Sequence, residues 1–308
     1  MDIMNMLGDA PNMSVPQDIP GGDMPGEKTN IAAGQIDQAK IILTKLTGYL
    51  NNIIKSSVNS KATISIAGGS GVGKSGIASV LAYILNNSGI GTYVMSGDNY
   101  PLRIPAQNDA ERLRIYRKGG ICALRDKDLL TPEVVEIIRD LQSKNLDSDP
   151  SFIDKYSFFE TYITGGKEKL SGYLGTPYEQ GFDEVNAITA SFKKGDPYIY
   201  FKRMGREEDA LWYEKKDMRG INVLILEWTH AENDLVKNID IPIFLKSTPE
   251  ETMQYRLLRG RDKGADSPFT TLVLGIEQQK IDSCAKNAKL ILTKSGRLID
   301  YSDCLNKL

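Results

Sequence analysis

The sequence predicts an α/β protein of the phosphate-loop kind: a doubly wound, mainly parallel sheet with helices on both faces and an inserted, mostly helical lobe. Three observations predict it. A short apolar, β-branched run from Thr63 to Ala67 leads straight into "GGSGVGKS". Later apolar runs, "TYVMSGD", "NVLILEW", "IPIFLK" and "KLILTK", alternate with helical stretches. Between residues 103 and 182 that rhythm gives way to "NDAERLRIYRKGG", "TPEVVEIIRDLQSKN" and "DPSFIDKYSFFETYITGGKEKL", which read as helices. Strands that alternate with helices build a parallel sheet covered on both sides, with ligands at the carboxyl ends of the strands.

Taken in order, residues 1–30 are rich in Met, Pro, Gly and Asp without periodicity and read as a mobile arm. Residues 31–308 form the phosphate-loop domain, with 103–182 inserted as a substrate or dimer lobe. Ile36, Ala39, Leu43, Leu46, Leu50 and Ile53 keep helical spacing ahead of the first strand. The loop is Gly68-x-x-x-x-Gly73-Lys74-Ser75. Its glycines let the backbone curl and turn N–H groups inward, and the helix after it adds a positive N-terminal end. Gly68, Gly69, Ser70, Gly71, Val72, Gly73, Lys74, Ser75 and Gly76 are therefore expected to cradle the phosphates of ATP. Lys74 would reach the β- and γ-phosphates, and the Ser75 hydroxyl would ligate Mg²⁺. Ile77, Val80, Leu81 and Ile84 continue the helix.

Composition sets outer limits. Hydrophobic residues make up 41% and charged residues 25% of the 308 positions, ordinary for a soluble globular protein. A net charge of −2 offers no general attraction to nucleic acid or to an anionic membrane. Cys122, Cys284 and Cys304 are odd in number and far apart, which suggests reduced thiols without metal-ligand spacing. There is no transmembrane run, and the first basic residue is Lys28, so a signal peptide is not expected. A cytoplasmic protein with a small-molecule partner is the expectation.

The loop itself serves motors, GTPases and small-molecule kinases alike. A guanine-specific Asn-Lys-x-Asp motif is missing, and "DMRG" precedes its strand rather than following one. Asp98 in "MSGDNY" ends the second strand, where a carboxylate could take the proton of a substrate hydroxyl. Glu227 in "ILEWTHA" ends another strand and could support Mg²⁺ or its waters. Arg256, Arg259 and Arg261 in "YRLLRGRD" could neutralise the migrating phosphoryl group. Arg103, Arg112, Arg114, Arg117 and Lys118 lie just beyond Asp98 in the chain. They read either as a solvated helix face or as a clamp for a phosphorylated acceptor, with Arg103 the candidate contact. Trp212, Trp228, Phe158 and Phe159 read as packing residues, and His230 as an incidental loop residue.

In this order the stretches resemble the uridine kinase and phosphoribulokinase family, over roughly residues 62–102 and 176–293. The resemblance implies ATP- and Mg²⁺-dependent transfer to a hydroxyl. It makes Asp98 the base with Tyr100 beside it, and "PYEQGFDE" points to Asp183 as a sugar contact. "GDPYIYFKRMGR" implies Arg206, with Lys202 nearby; the strand-end Glu maps to Glu227 and the lid pair to Arg261-Asp262. The chain departs from the pattern at Met204, where uridine kinases carry His, and at Trp228, where they carry Gly. The separation of Asp98 and Asp183 also exceeds that of compact uridine kinases, which puts uridine itself in doubt. Two other readings stay open: an NTPase or switch that only hydrolyses nucleotide, and an inactive nucleotide-binding module whose lobe docks partners.

Overall fold

The computed structural model describes residues 2–8, 10–26, 31–207, 210–259 and 267–305, with backbone alone at residues 11, 255–259 and 305. The first elements are α1 (Ile3–Met6), α2 (Ala33–Ser56), β1 (Ala62–Gly68), α3 (Lys74–Asn87) and β2 (Thr92–Ser96). Then come α4 (Pro105–Asp126), α5 (Pro132–Ser143), α6 (Phe159–Ser171) and α7 (Phe182–Lys194). The strands β3 (Tyr198–Met204), β4 (Leu211–Asp217), β5 (Val223–Glu227) and β6 (Ile241–Lys246) follow. The chain ends with α8 (Pro249–Arg259), α9 (Pro268–Cys284), β7 (Leu290–Thr293), β8 (Leu298–Ile299) and α10 (Tyr301–Leu305). These fall into two compact units.

The first unit comprises Met1–Pro101, Gly181–Met253 and Ile281–Leu308. Its sheet has the order β2-β5-β1-β6-β7-β8, parallel throughout except for β8. The expected doubly wound fold is thus present. Alternation divides each strand between two cores. Ile64, Ile66, Ile225 and Ile243 face α2 and α3 through Ile42, Leu46, Leu81 and Ile84. Leu224, Leu226 and Phe244 face α7 through Phe182, Val185 and Phe192. Burial on both faces is what makes these strands unbroken apolar runs in the sequence. A second sheet is the antiparallel pair β3–β4.

The N-terminal segment differs from the mobile arm expected. Ile3, Leu7, Ala10 and Ile19 are buried in the α2–α3 core, and Gly22 packs against Val94 of β2. An irregular segment buries apolar residues wherever the surface offers room, so it shows no period even when it is packed.

The second unit joins Leu102–Gln180 to Gln254–Lys280. It holds α4, α5 and α6 and adds a segment from late in the chain. Its axis is the α4–α6 contact, where small residues let the backbones approach: a Cβ on Gly119 would stand 2.5 Å from the Gly165 carbonyl oxygen. Around it Tyr116, Phe158, Phe159, Tyr162 and Leu174 form a core closed by Val273 and Phe269 of α9. Asp147 ties this core together, accepting hydrogen bonds from Tyr162 Oη at 2.9 Å and from the Arg117 guanidinium.

Candidate active site

The site is built at the carboxyl ends of β1, β2 and β5. Register fixes the geometry before any side chain is considered, because Glu227 sits level with Ile66 of β1 and with Ser96 of β2. The strand after β5 crosses to the other flank of β1, so a crevice opens where the strand order reverses.

The loop fills that crevice. Gly68 leaves β1 at φ 149°, and a Cβ there would lie 2.6 Å from the Leu245 carbonyl oxygen. Gly73, at φ 108°, is the N-cap of α3. Neither conformation suits a side chain, which accounts for glycine at both places. The first turn of α3 carries no acidic residue. Its amides and positive end suit an anion. Lys74 Nζ donates to the carbonyls of Gly68 at 3.0 Å and Gly69 at 3.2 Å, which holds the ammonium over the loop. Behind the loop, Gln35 of α2 donates to the Gly73 carbonyl, and Lys294 after β7 donates to that of Val72. Burial pushes the Lys294 amine down.

Glu227 is the hub. Its Oε2 accepts from Ser75 Oγ at 3.2 Å, and its Oε1 accepts from Ser96 Oγ at 2.8 Å. Ser75 and Glu227, predicted separately as metal neighbours, are thus in direct contact. Among the described residues no cluster of three His, Cys, Asp or Glu side chains could cage a metal alone. One carboxylate, one hydroxyl and substrate phosphates is the usual donor set for Mg²⁺, which keeps most of its waters. The residues therefore fit MgATP.

Asp98 lies in the short turn after β2 with its side chain exposed, two residues beyond Ser96. The turn is held from both sides: Asn99 Oδ1 accepts from Met204 N, and Tyr100 Oη accepts from Lys202 N. Tyr100 is fully buried, and burial pushes its hydroxyl far up. Expected as an acceptor contact, it is an anchor for the Asp98 turn; its packing into the α7 core explains why an aromatic stands there.

The other predicted acceptor contacts are spread more widely. Asp183 is exposed in the first turn of α7, whose N-cap is Gly181. Arg206 is exposed beyond the end of β3. Lys202 Nζ donates to the Pro101 carbonyl, and burial pushes that amine down. Arg103 belongs to the second unit, where it donates to Tyr173 Oη and the Tyr178 carbonyl. Its neighbours in the basic run are engaged there too: Arg112 with Glu179 and Glu277, Arg114 with Glu111, and Arg117 with Asp147. Arg256 and Arg259 lie on α8 where only backbone is described, and Arg261 lies outside the described residues.

Trp228 is buried against Phe182 and His230, which explains a large residue where the resembled family has Gly. Trp212, expected to pack, is 45% exposed on β4. Sequence reasoning passed over Ser96, Gln35, Asp23, Glu184 and Arg203. Of these only Ser96 carried a signal, as a hydroxyl at a strand end two residues before Asp98. Glu184 accepts from Tyr213 Oη at 2.7 Å, linking α7 to the hairpin.

A second buried carboxylate stands apart from this set. Glu232, 4% exposed, accepts from Ser65 Oγ at 2.6 Å, and burial pushes its carboxyl up to about 7.

No family model matches the chain. A curated protein of Mediterraneibacter gnavus, a bifunctional alpha-galactosidase/sucrose kinase, is 36% identical over 240 residues, which is 78% of this chain and 21% of that protein. The chain thus spans about a fifth of that relative's length. Two solved structures are similar at low identity. Phosphoribulokinase of Rhodobacter spheroides has a TM-score of 0.46 and 12% identity, covering 76% of this chain and 70% of that one. A possible uridine kinase of Bacillus stearothermophilus has a TM-score of 0.38 and 12% identity, covering 80% and 98%. Among the described residues no helix is long and apolar enough to cross a membrane. On its phosphate loop, its strand order and the Ser75–Glu227 pair, the chain is a phosphate-loop protein that resembles the uridine kinase and phosphoribulokinase-like small-molecule kinases.

Proposed function

We propose that the protein transfers the γ-phosphoryl group of ATP to a hydroxyl of a neutral sugar. The observation that carries this reading is the continuous set Ser75–Glu227–Ser96, with Asp98 on the turn that directly follows Ser96. A hydrolysing switch needs the loop and a metal neighbour. An exposed carboxylate after β2, on a turn braced by Asn99 and Tyr100, adds the base that an alcohol acceptor requires.

In the reaction the acceptor oxygen attacks the γ-phosphorus while the bond from that phosphorus to the β-bridging oxygen breaks. ADP leaves with that oxygen, and the hydroxyl proton passes to Asp98. Lys74 and the amides at the start of α3 hold the phosphates against their repulsion. Mg²⁺, held by Ser75 and Glu227, would supply charge neutralisation at the β- and γ-oxygens. Arg259 and Arg261 would add positive charge to the migrating group, and Arg256 would contact the nucleotide.

Two observations support a neutral sugar. The curated relative is named in part as a sucrose kinase. Arg112, Arg114 and Arg117, which could have clamped a phosphorylated acceptor, are paired with carboxylates of their own unit. Asp183 and Arg206 are the candidate sugar contacts. The free thiols of Cys122, Cys284 and Cys304 accord with a reducing, cytoplasmic setting.

The test is ADP formation with sucrose, other disaccharides, monosaccharides, sugar phosphates and nucleosides, with the product identified by mass. A neutral sugar should raise ADP release well above the acceptor-free rate and gain one phosphoryl group. Asp98→Asn should lower that turnover by roughly 10²–10⁴ with ATP affinity retained. ADP release that no acceptor accelerates would leave a hydrolase or switch as the function.

A further inference from the structure

Asp23 lies on the irregular N-terminal segment, far in sequence from every motif, and its side chain is 6% exposed. Its Oδ1 accepts from Ser96 N at 2.7 Å and from Asn99 Nδ2 at 3.1 Å. Its Oδ2 accepts from Arg203 Nη1 at 2.8 Å and from Tyr93 Oη at 3.0 Å. Ser96 and Asn99 are the residues that bracket the Gly97–Asp98 turn. Ser96 in turn holds Glu227, and Glu227 holds Ser75. One carboxylate therefore grips both ends of the turn that bears the proposed base and begins a hydrogen-bond chain that ends at the proposed metal site.

A simple edge cap does not account for this. β2 is the outer strand of its sheet, and one amide at such an edge needs only water or one acceptor. A buried carboxylate is costly unless several donors converge on it. Here four do, two of them from the turn itself and one a guanidinium. Arg203 is also tied to Glu214 of β4, so the brace extends to the hairpin.

We propose that Asp23 is a positioning residue for phosphoryl transfer: it sets the Ser96–Asn99 turn and, through Ser96, the orientation of Glu227 toward Mg²⁺. The N-terminal segment is then a working part of the catalytic unit. The inference rests on reading Ser75 and Glu227 as the Mg²⁺ neighbours.

The experiment compares the whole chain with Asp23→Ala, Asp23→Asn, Ser96→Ala and Asp23→Ala/Ser96→Ala. Three quantities are measured: hydrogen exchange across residues 94–100 without nucleotide or metal, ATP affinity with and without Mg²⁺, and thermal midpoint. Asp23→Ala should expose the Ser96 amide to exchange while β5 stays protected. It should reduce the Mg²⁺-dependent gain in ATP affinity roughly 10–100-fold, as loss of a partner behind a metal ligand does. Metal-free ATP affinity should stay within about twofold, since Asp23 makes none of the loop contacts described above. Asp23→Asn, which keeps an acceptor for Ser96 N, should recover part of the loss. Ser96→Ala should reproduce it, and the double variant should be no worse than the single ones, because both act through one chain.

Should Asp23→Ala fail to fold, Asp23→Asn and Ser96→Ala carry the same measurements. A folded Asp23 variant with unchanged exchange and unchanged Mg²⁺ dependence overturns the proposal, as does strict additivity with Ser96→Ala. These readouts need no acceptor. Absence of acceptor-stimulated ADP release in the unaltered protein would therefore count against the kinase reading without touching this result.

Discussion

Glu232→Gln should stabilise the protein at neutral and alkaline pH and leave it nearly unchanged in acid. The carboxyl is buried beside Ser65 and also receives a backbone hydrogen bond from Ile243, yet among the described residues no cation offsets its burial. Burial without a counter-charge favours the protonated form, which is why its value lies near 7 instead of the ordinary 4.5. In the unfolded chain it ionises from about pH 4.5 upward. Below that value both states hold the proton and the group costs nothing. As pH rises from there toward 7 the unfolded state releases a proton that the folded state keeps, so stability falls. Above about 7 the charge sits in place and the penalty is complete. At roughly 1.4 kcal/mol per pH unit across that interval, the penalty reaches about 3 kcal/mol. Glutamine retains an acceptor for Ser65 and never ionises. Urea unfolding at pH 5 and pH 8, followed by the fluorescence of buried Trp228, gives the comparison. The difference in stability between wild type and Glu232→Gln should change by about 2.5 kcal/mol between the two pH values, in favour of the variant at pH 8, because part of the penalty is already present at pH 5. Parallel pH profiles would refute the reasoning and require a counter-charge for Glu232 in the native state.

Three further outcomes follow from the same geometry. Lys74→Ala should reduce phosphoryl transfer by about 10²–10³, because it removes a positive charge from the developing oxyanions, while circular dichroism and thermal midpoint stay near wild type. Arg112→Ala removes the guanidinium that pairs with Glu179, a carboxylate 0% exposed that also accepts from Asn108 and the Gly175 amide. It should therefore cost roughly 3–5 kcal/mol in denaturant unfolding, and any loss of acceptor affinity at constant stability would contradict the internal role assigned to it. Gly119→Ala drives a methyl group into the Gly165 carbonyl and should lower stability by about 1–3 kcal/mol despite alanine's better helix propensity, as measured by a drop in thermal midpoint.

The site was legible wherever chemistry and chain order coincide. The loop announces itself because phosphate binding demands glycine, lysine and serine at fixed spacing. Asp98 and Glu227 stood out in the sequence because a parallel sheet delivers its strand ends to one rim. β1, β5, β6 and β7 were visible because burial on both faces leaves apolar runs. The β3–β4 hairpin was not read as strands: Tyr198, Tyr200, Tyr213 and Trp212 stay exposed, so the usual apolar alternation is blurred by aromatic residues on open faces. Tyr100 was misassigned because a motif position says nothing about which way a ring points. Asp23 and Arg203 carry no local pattern at all; their pairing joins positions 180 residues apart and exists only once the sheet and hairpin are formed. The arginines beyond Asp98 read as a solvated face or a ligand clamp because partners such as Asp147, Glu179 and Glu277 lie far along the chain.

The composition of the second unit bears on how the chain matures. Its core draws on Tyr116 and Tyr162 but is completed by Phe269, Leu272, Val273 and Ile276, which the ribosome delivers much later. At about 5–20 residues per second, α4 and α6 wait on the order of 5–20 s for α9. During that interval their aromatic surface has no permanent cover. The α4–α6 pair, a local contact, can form early, whereas closure by α9 is a long-range step and slow for that reason. Truncations ending before residue 268 should therefore bind the chaperones that recognise exposed aromatic surface and yield insoluble product, while chains extending past residue 280 should be released.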